Sequence, residues 1–271
     1  MNFISTVLED KDFRKISILI YRLCGINLKE NKKTLVRARL MKRLRALGLG
    51  SIKEYIKHLE SDQGREEMSL LIDAMTTNKT SFFREVDHFH YLGNEIFPAL
   101  KNPRLRFWTA ACSSGEEPIS LSILLREKLP DIDSRDVRIL ATDISMKMLE
   151  IARKAVYVEE ALEGIPSNYL RKHFIAIQKG PRRFYQVNDN VRNLIKLAWL
   201  NLMDSWPMKG PFNVIFCRNV MIYFDKATQQ KLISRFWDLL EPGGYLFVGH
   251  SEGLSSISHD FRYIKPAIYM K

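Results

Sequence analysis

The sequence predicts an α/β protein in which a doubly wound, mostly parallel sheet with helices on both faces follows a small all-helical domain. From residue 105 onward, short β-rich runs alternate with amphipathic helices, the pattern of parallel strands joined by crossover helices. Before residue 100, apolar residues recur only at helical spacing. The chain has 271 residues, 46% hydrophobic and 27% charged, a length and composition that suit one large globular domain or two smaller ones.

Taken in order, residues 2–24 place Phe13, Ile16, Ile20 and Leu23 on one helical face, and Gly25 is the stop. A second helix is expected over about 32–47. Val36, Leu40, Leu44 and Leu47 share its apolar face, Lys42 and Arg45 lie on the far side, and Arg39 and Arg43 flank them. Ser51 is an N-cap with Glu54 at the capping-box position for a helix through Leu59, and a further helix runs from Arg65 to about Met75. Residues 76–84 are polar, then doubly aromatic, then cationic, and by composition alone read equally well as a linker into a helix start. A helix over 86–100 ends near Pro98. The sheet then takes strands at 105–111, 137–142, 194–200, 212–217, 245–249 and 261–270, with helices at 116–128, 145–155 and 226–240. The last two strands lack an obvious connecting helix, so an antiparallel strand is expected to finish the sheet. Residues 156–192 break the rhythm, with Arg182–Val187 as a strand of a small insertion, a hairpin by its length.

Charge narrows the partners. The net charge is +11, and residues 1–60 hold fourteen Lys/Arg against six Asp/Glu, an excess of eight. Such an excess fits an acidic partner surface (nucleic acid, anionic membrane or acidic protein) or a solvated basic face with no partner at all. No run of about 18 apolar residues marks a membrane span, and Met1–Asp10 lacks the basic-then-apolar pattern of a signal peptide. Cys24, Cys112 and Cys217, odd in number and far apart, point to reduced thiols in a cytoplasmic protein.

The stretch Leu105–Pro118 carries the strongest chemical signal. It is a strand, a tight turn around Gly115 and a helix start, the geometry that brings backbone N–H groups close to a ligand. Glu116 and Glu117 stand where a phosphate would be repelled, although they suit the helix dipole and a ligand carrying hydroxyls or positive charge. Asp143 ends the next strand, where an acid commonly accepts from ribose hydroxyls; in isolation it could equally cap the helix that starts at Ser145. G-x-G-x-x-G, P-loop and kinase signatures are absent. A nucleoside without phosphates, such as S-adenosylmethionine, therefore fits, with Glu117 accepting from its amino group and an arginine pairing its carboxylate. Asn201-Leu-Met-Asp204 and Cys217-Arg-Asn219 follow strands and so sit at carboxyl ends. Tyr223 comes just after, and a lone tyrosine is more often a core aromatic with an exposed hydroxyl. No metal site is expected, since His88 and His90 point to different faces and there is no C-x-x-C, and no G-x-S-x-G elbow marks a serine hydrolase.

Five segments together resemble one family: Thr76-Thr-Asn-Lys-Thr-Ser-Phe-Phe-Arg84, Ala110-Ala-Cys-Ser-Ser-Gly-Glu-Glu-Pro118, Ile215-Phe-Cys-Arg-Asn-Val-Met-Ile-Tyr-Phe-Asp225, Leu240-Glu-Pro-Gly-Gly244 and Gly249-His-Ser-Glu252. They are similar to the CheR family, the S-adenosylmethionine-dependent protein-glutamate O-methyltransferases of bacterial chemotaxis. The resemblance spans nearly the whole chain, including Gly25-Ile-Asn-Leu28 and the basic N-terminal helices. It implies a Rossmann-like class I methyltransferase sheet. The domains would be a helical N-terminal domain at 1–75, a linker or lid at 76–90, and a cofactor-binding domain at 91–271 with a β-subdomain inserted at 156–192.

By the same resemblance Asn78, Thr80 and Arg84 contact the cofactor from the lid, Glu117 binds its amino-acid end and Asp143 its ribose. Asn201 and Leu202 border the adenine, Arg218 and Asn219 lie beneath, and Arg84 and Tyr223 come closest to the transferring methyl group. Arg39, Lys42 and Arg45 would dock the glutamate-rich methylation helices of chemoreceptors. The family's pentapeptide-binding members carry a glycine-rich loop in the insertion, whereas Ile177–Arg183 has one glycine, which argues against dependence on a receptor C-terminal pentapeptide. A cytoplasmic monomer without nucleic-acid partner or membrane insertion is expected. The competing readings are a nucleic-acid methyltransferase with a basic N-terminal clamp and a non-catalytic cofactor-binding adaptor. The first is opposed by the lack of interleaved aromatics over residues 29–50, the second by the intact Arg84, Glu117, Asp143 and Tyr223.

Overall fold

A computed structural model describes residues 7–271; the first residues of the helix expected from position 2 lie outside the described part. Four helices come first: α1 (Asp10–Cys24), α2 (Lys33–Leu47), α3 (Ile52–Leu59) and α4 (Gly64–Met75). Their ends follow local chemistry. Gly25 and Gly48 close α1 and α2 in the left-handed conformation, at φ 74° and 68°. Ser51 Oγ accepts from Glu54 N at 3.2 Å, and the Glu54 carboxylate reaches back to Gly50 N at 2.9 Å, one residue before the cap. On α2 the buried set is Val36, Leu40, Met41 and Leu44; Leu47, expected on this face, is exposed, because the helix stops at it and Gly48 turns the chain away. The bundle also buries an ion pair. Glu67 takes both Arg43 nitrogens, at 2.8 and 2.6 Å, and the Tyr55 hydroxyl at 2.6 Å.

After residues 76–85 the chain enters α5 (Val86–Tyr91), which continues through a π-helical turn at Leu92–Ile96 into Phe97–Ala99. The expected single helix thus has a wide turn at its centre. The central sheet has seven strands: β1 (Arg104–Ala110), β2 (Asp136–Asp143), β6 (Ile195–Trp199), β7 (Phe212–Cys217), β8 (Leu240–Val248), β9 (Arg262–Lys265) and β10 (Ile268–Met270). Their order is β6-β2-β1-β7-β8-β10-β9, with β10 antiparallel to both neighbours and the pairs from β6 to β8 parallel. The antiparallel finish matches the expectation, but 261–270 forms two short strands with Ala267 at φ 63° between them. Strand β8 begins at Leu240 rather than Tyr245, running straight out of the preceding helix with a register shift.

Alternation along β1 assigns the two faces. Leu105 and Phe107 join the layer formed by α5 and α6 (Glu116–Lys128), while Trp108 and Ala110 join that of α1–α4 and α9 (Lys226–Leu239). Between lie α7 (Met146–Lys154) and α8 (Ser167–His173). The interruption at 156–192 holds a separate antiparallel sheet, β3 (Val156–Val158), β4 (Phe174–Lys179) and β5 (Arg182–Val187), in the order β3-β5-β4. Phe82, from the segment after α4, sets its ring against Tyr157 and Phe174 of this small sheet, at 5.0 and 5.7 Å between centroids. Strand order reverses between β1 and β7, which makes the crevice at their carboxyl ends the place where ligands bind in such sheets.

Candidate active site

That crevice is lined by strand ends, by α1 and by the 76–84 segment. Asn78, Thr80, Arg84, Glu117, Asp143, Asn201, Leu202, Arg218, Asn219 and Tyr223 all lie on its wall, joined by Cys24, Ile26 and Phe89. Residues separated by more than 140 positions therefore share one cleft. Thr76–Arg84 does not behave as a free linker. The Asn78 carbonyl accepts from Ser113 Oγ at 3.0 Å, Phe83 N donates to Ser120 Oγ at 2.9 Å, and Arg84 donates to the Lys79 carbonyl at 2.9 Å.

Glu117 and Arg218 form the charged floor. The Arg218 side chain is 1% exposed and spans two carboxylates, Glu117 at 3.0 Å and Glu85 at 3.1 Å, while also donating to the Arg84 carbonyl. Burial raises the Glu117 carboxyl to about 7 in spite of Arg218, with Glu85 adding to the rise and Arg84 opposing it. Glu116, by contrast, turns away from the cleft, takes the Ser114 hydroxyl and has its carboxyl raised by burial.

Asp143 is 5% exposed, and its two oxygens accept from Ser113 N at 2.7 Å and Ser145 N at 2.8 Å. It does not cap α7; Ser145 does, accepting from Met148 N at 3.2 Å. Burial raises the Asp143 carboxyl, and the two backbone N–H groups oppose the rise. The role expected of Gly115 also changes. It sits at φ 97°, where a Cβ would come within 2.8 Å of Ala152 Cβ and 3.1 Å of the Tyr157 hydroxyl. The glycine lets α7 pack close to the turn, and it does not line the cleft.

The sequence did not point to Glu85, Ser113 or Glu252. Glu252 is 7% exposed and gathers three backbone N–H groups: Asn219 at 2.5 Å, Gly249 at 2.7 Å and Ile222 at 3.1 Å. It thereby holds the turn that carries Arg218, Asn219 and Tyr223. Gly249 has to be glycine, because a Cβ would meet Asn219 Nδ2 at 2.5 Å and Glu252 Oε2 at 2.6 Å. One signal was available in the Gly249–Glu252 motif, whose acid had no assigned partner. Left-handed backbone at non-glycine residues is concentrated around the cleft, at Phe83, Glu85, Ala111, Ser113 and Asn219, with φ between 50° and 61°. Such strain gathers where surrounding structure holds a site in one shape.

The N-terminal helices are part of the wall. Asn201 Nδ2 donates to the Leu23 carbonyl at 2.8 Å, and Asn27 N donates to the Tyr223 carbonyl at 2.8 Å. Of the three expected docking residues, Lys42 and Arg45 are exposed. Arg39 is half-buried, donating to the Met75 carbonyl at 2.6 Å and Thr77 Oγ1 at 3.0 Å.

The donor set fits S-adenosylmethionine. Among the described residues no glycine lines the cleft as a pyrophosphate cradle would, whereas two acids, Glu117 and Asp143, and the amide Asn201 do. Residues 78–270 match the family model described as CheR methyltransferase, SAM binding domain, and residues 11–76 the one described as CheR methyltransferase, all-alpha domain. The fold and the crevice are those of an S-adenosylmethionine-dependent class I methyltransferase. Among curated proteins the chain is 43% identical over 242 residues to a probable chemotaxis protein methyltransferase of Rhizobium etli, covering 88% of this chain and 90% of that one. It is 43% identical to chemotaxis protein methyltransferase 2 of Pseudomonas aeruginosa (96% and 92% covered) and 39% to chemotaxis protein methyltransferase of Escherichia coli (97% and 91% covered). The chain belongs to the CheR methyltransferase family.

Proposed function

We propose that the protein methylates glutamate side chains of chemoreceptors, giving glutamyl methyl esters and S-adenosylhomocysteine, for sensory adaptation in the cytoplasm. The observation that carries this is the convergence of Glu117, Asp143, Arg218, Arg84 and Tyr223 on one crevice closed by residues 76–84. When bound there, S-adenosylmethionine supplies an electrophilic methyl group on a sulfonium centre. Glu117 accepts from its ammonium group, Asp143 from ribose, and Asn201 and Leu202 border the base. Arg84 and Tyr223 flank the incoming carboxylate and align it. A glutamate carboxylate is already ionised at neutral pH, with a reference pKa of about 4.3, so no general base is needed. The demand is orientation and desolvation of a weak nucleophile, and orientation of bound reactants contributes on the order of 7–11 kcal/mol.

Lys42 and Arg45, exposed on α2, are the residues placed to meet an acidic receptor helix. Arg39, engaged with Met75 and Thr77, serves docking only by holding the base of the lid. No helix among the described residues is long and apolar enough to cross a membrane, and the three cysteines are unpaired and buried, which agrees with a reducing compartment. The test uses tritiated S-adenosylmethionine with the purified protein, a receptor cytoplasmic fragment and RNA, followed by alkali. Volatile methanol released from the receptor is expected; label that stays in RNA, or that survives alkali, refutes the assignment.

A further inference from the structure

Beside Arg218, two imidazoles and a carboxylate meet at a second cavity. His88 is 1% exposed, and neither of its ring nitrogens makes a well-aligned hydrogen bond, its backbone neighbour being Pro266; Glu85 Oε2 is buried and has the Arg218 guanidinium at 3.1 Å as its charged neighbour. His88 Nδ1 lies 3.5 Å from Glu85 Oε2, His250 Nε2 lies 3.9 Å from the same oxygen, and one atom from each residue falls within 4.8 Å of the others. The two imidazoles stand edge to face with centroids 4.9 Å apart. Unpaired buried polar atoms are costly and uncommon, and several facing one another are what an ion would satisfy. Both histidines form the wall of an open cavity of about 580 Å³, bounded also by Asp87, Glu95 and Lys265, so an ion has a path from solvent.

We propose that Glu85, His88 and His250 form a binding site for one zinc-class divalent ion. The donor set selects the class. Two imidazoles and a carboxylate suit zinc and its neighbours, whereas magnesium and calcium require mostly oxygen. Four-coordinate zinc with bonds of about 2.0–2.1 Å holds its ligand atoms about 3.3 Å apart. The 3.5 Å separation already meets that, and His250, 48% exposed at the cavity, needs the larger shift.

Arg218 is the opposing charge, 3.1 Å from the shared oxygen. It retains Glu117 and the Arg84 carbonyl if Glu85 Oε2 turns to an ion, and Glu85 Oε1 retains Asn219 Nδ2 at 3.2 Å. The ion site and the methyl crevice therefore share one carboxylate, with Oε2 between the imidazoles and Arg218 and Oε1 on Asn219. Sequence spacing hid the site because His88 and His250 are 162 positions apart in the chain and meet only through the packing of α5 on β8 and its following turn.

The test is titration of the tag-free, chelator-stripped full chain with zinc chloride, in competition with a chromophoric chelator. One equivalent is expected to bind, His250→Ala to weaken it by at least about tenfold, and His90→Ala, on the same cavity but outside the triad, to leave it unchanged. His250 is half exposed, so its variant folds, which circular dichroism checks; His88→Gln provides the second, buried test. Zinc binding equal in wild type and His250→Ala, or none in wild type, overturns the proposal, as does a loss on His90→Ala with His250→Ala unaffected.

Discussion

Glu117 sets the pH dependence of cofactor binding if it accepts from the ligand's ammonium group. Its carboxyl stands at about 7, so at neutral pH only about half the molecules carry the charge that the ammonium needs. Apparent affinity scales with the competent fraction. That fraction rises from about 0.09 at pH 6 to about 0.5 at pH 7, so the dissociation constant for S-adenosylmethionine should fall roughly fivefold over that unit. Above about pH 7.7 the ligand's own amino group begins to lose its proton and the gain flattens. The same shift acts on stability with the opposite sense. The folded pKa lies above the unfolded value of 4.5, so the native state binds the extra proton, and stability falls as pH rises from 4.5 to about 7, by about 3 kcal/mol. Glu117→Gln should abolish both slopes: binding becomes weak and flat over pH 6–7, and the ligand-free protein becomes less sensitive to pH. Isothermal titration calorimetry at four pH values reads the first effect, and urea unfolding reads the second. A wild-type dissociation constant that does not change between pH 6 and 7, or a Gln variant that keeps the slope, would refute the ammonium assignment.

Tyr223→Phe and Arg84→Ala should each lower receptor methylation while the circular dichroism spectrum and cofactor affinity of Tyr223→Phe stay near wild type; full turnover in both would sink their placement at the methyl group. Arg218→Ala leaves Glu85 and Glu117 buried without their shared cation, and should cost about 3–5 kcal/mol in urea unfolding, with Arg218→Lys recovering only part, since one ammonium cannot span both. Glu252→Gln replaces one acceptor oxygen by an amide that faces a backbone N–H; a loss of about 1–3 kcal/mol is expected, together with a drop in kcat larger than the change in cofactor affinity. Docking through Lys42 and Arg45 predicts a Michaelis constant for receptor that rises with salt and a cofactor constant that does not.

Much of this architecture was legible because it depends on local periodicity and caps. The strand Phe212–Cys217 and the helix Glu116–Lys128 fall where the sequence placed them. The errors have physical causes. Leu47 carries the right spacing for the apolar face of α2, but periodicity does not report that a helix ends there and leaves its last residue uncovered. Gly115 looked like a ligand-facing glycine, yet its constraint comes from Ala152, thirty-seven positions on, which no local pattern can reveal. At the site, residue types and family motifs marked which side chains gather in the crevice. They did not show that Glu252 organises the Asn219 turn or that Glu85 partners Arg218, because both depend on which loops the sheet topology brings together.

The contacts also bear on how docking and chemistry communicate. Arg39 lies one helical turn from Lys42 on α2, and its guanidinium holds the Met75 carbonyl and Thr77 hydroxyl where α4 gives way to the lid. From the other side, Asn27 N fixes the Tyr223 carbonyl, Asn201 fixes the end of α1, and Gly25 packs so closely on Met203 that a Cβ would approach its sulfur within 2.5 Å. The N-terminal helices are thus fastened to both sides of the crevice, to the lid by Arg39 and to the tyrosine by Asn27. If an acidic helix docks on the basic face of α2 as proposed, Arg39 connects that face to residues 76–84, and receptor binding and cofactor binding should then change each other's affinity by one common factor, which cofactor titration with and without receptor fragment reads; equal cofactor constants in both would refute the link.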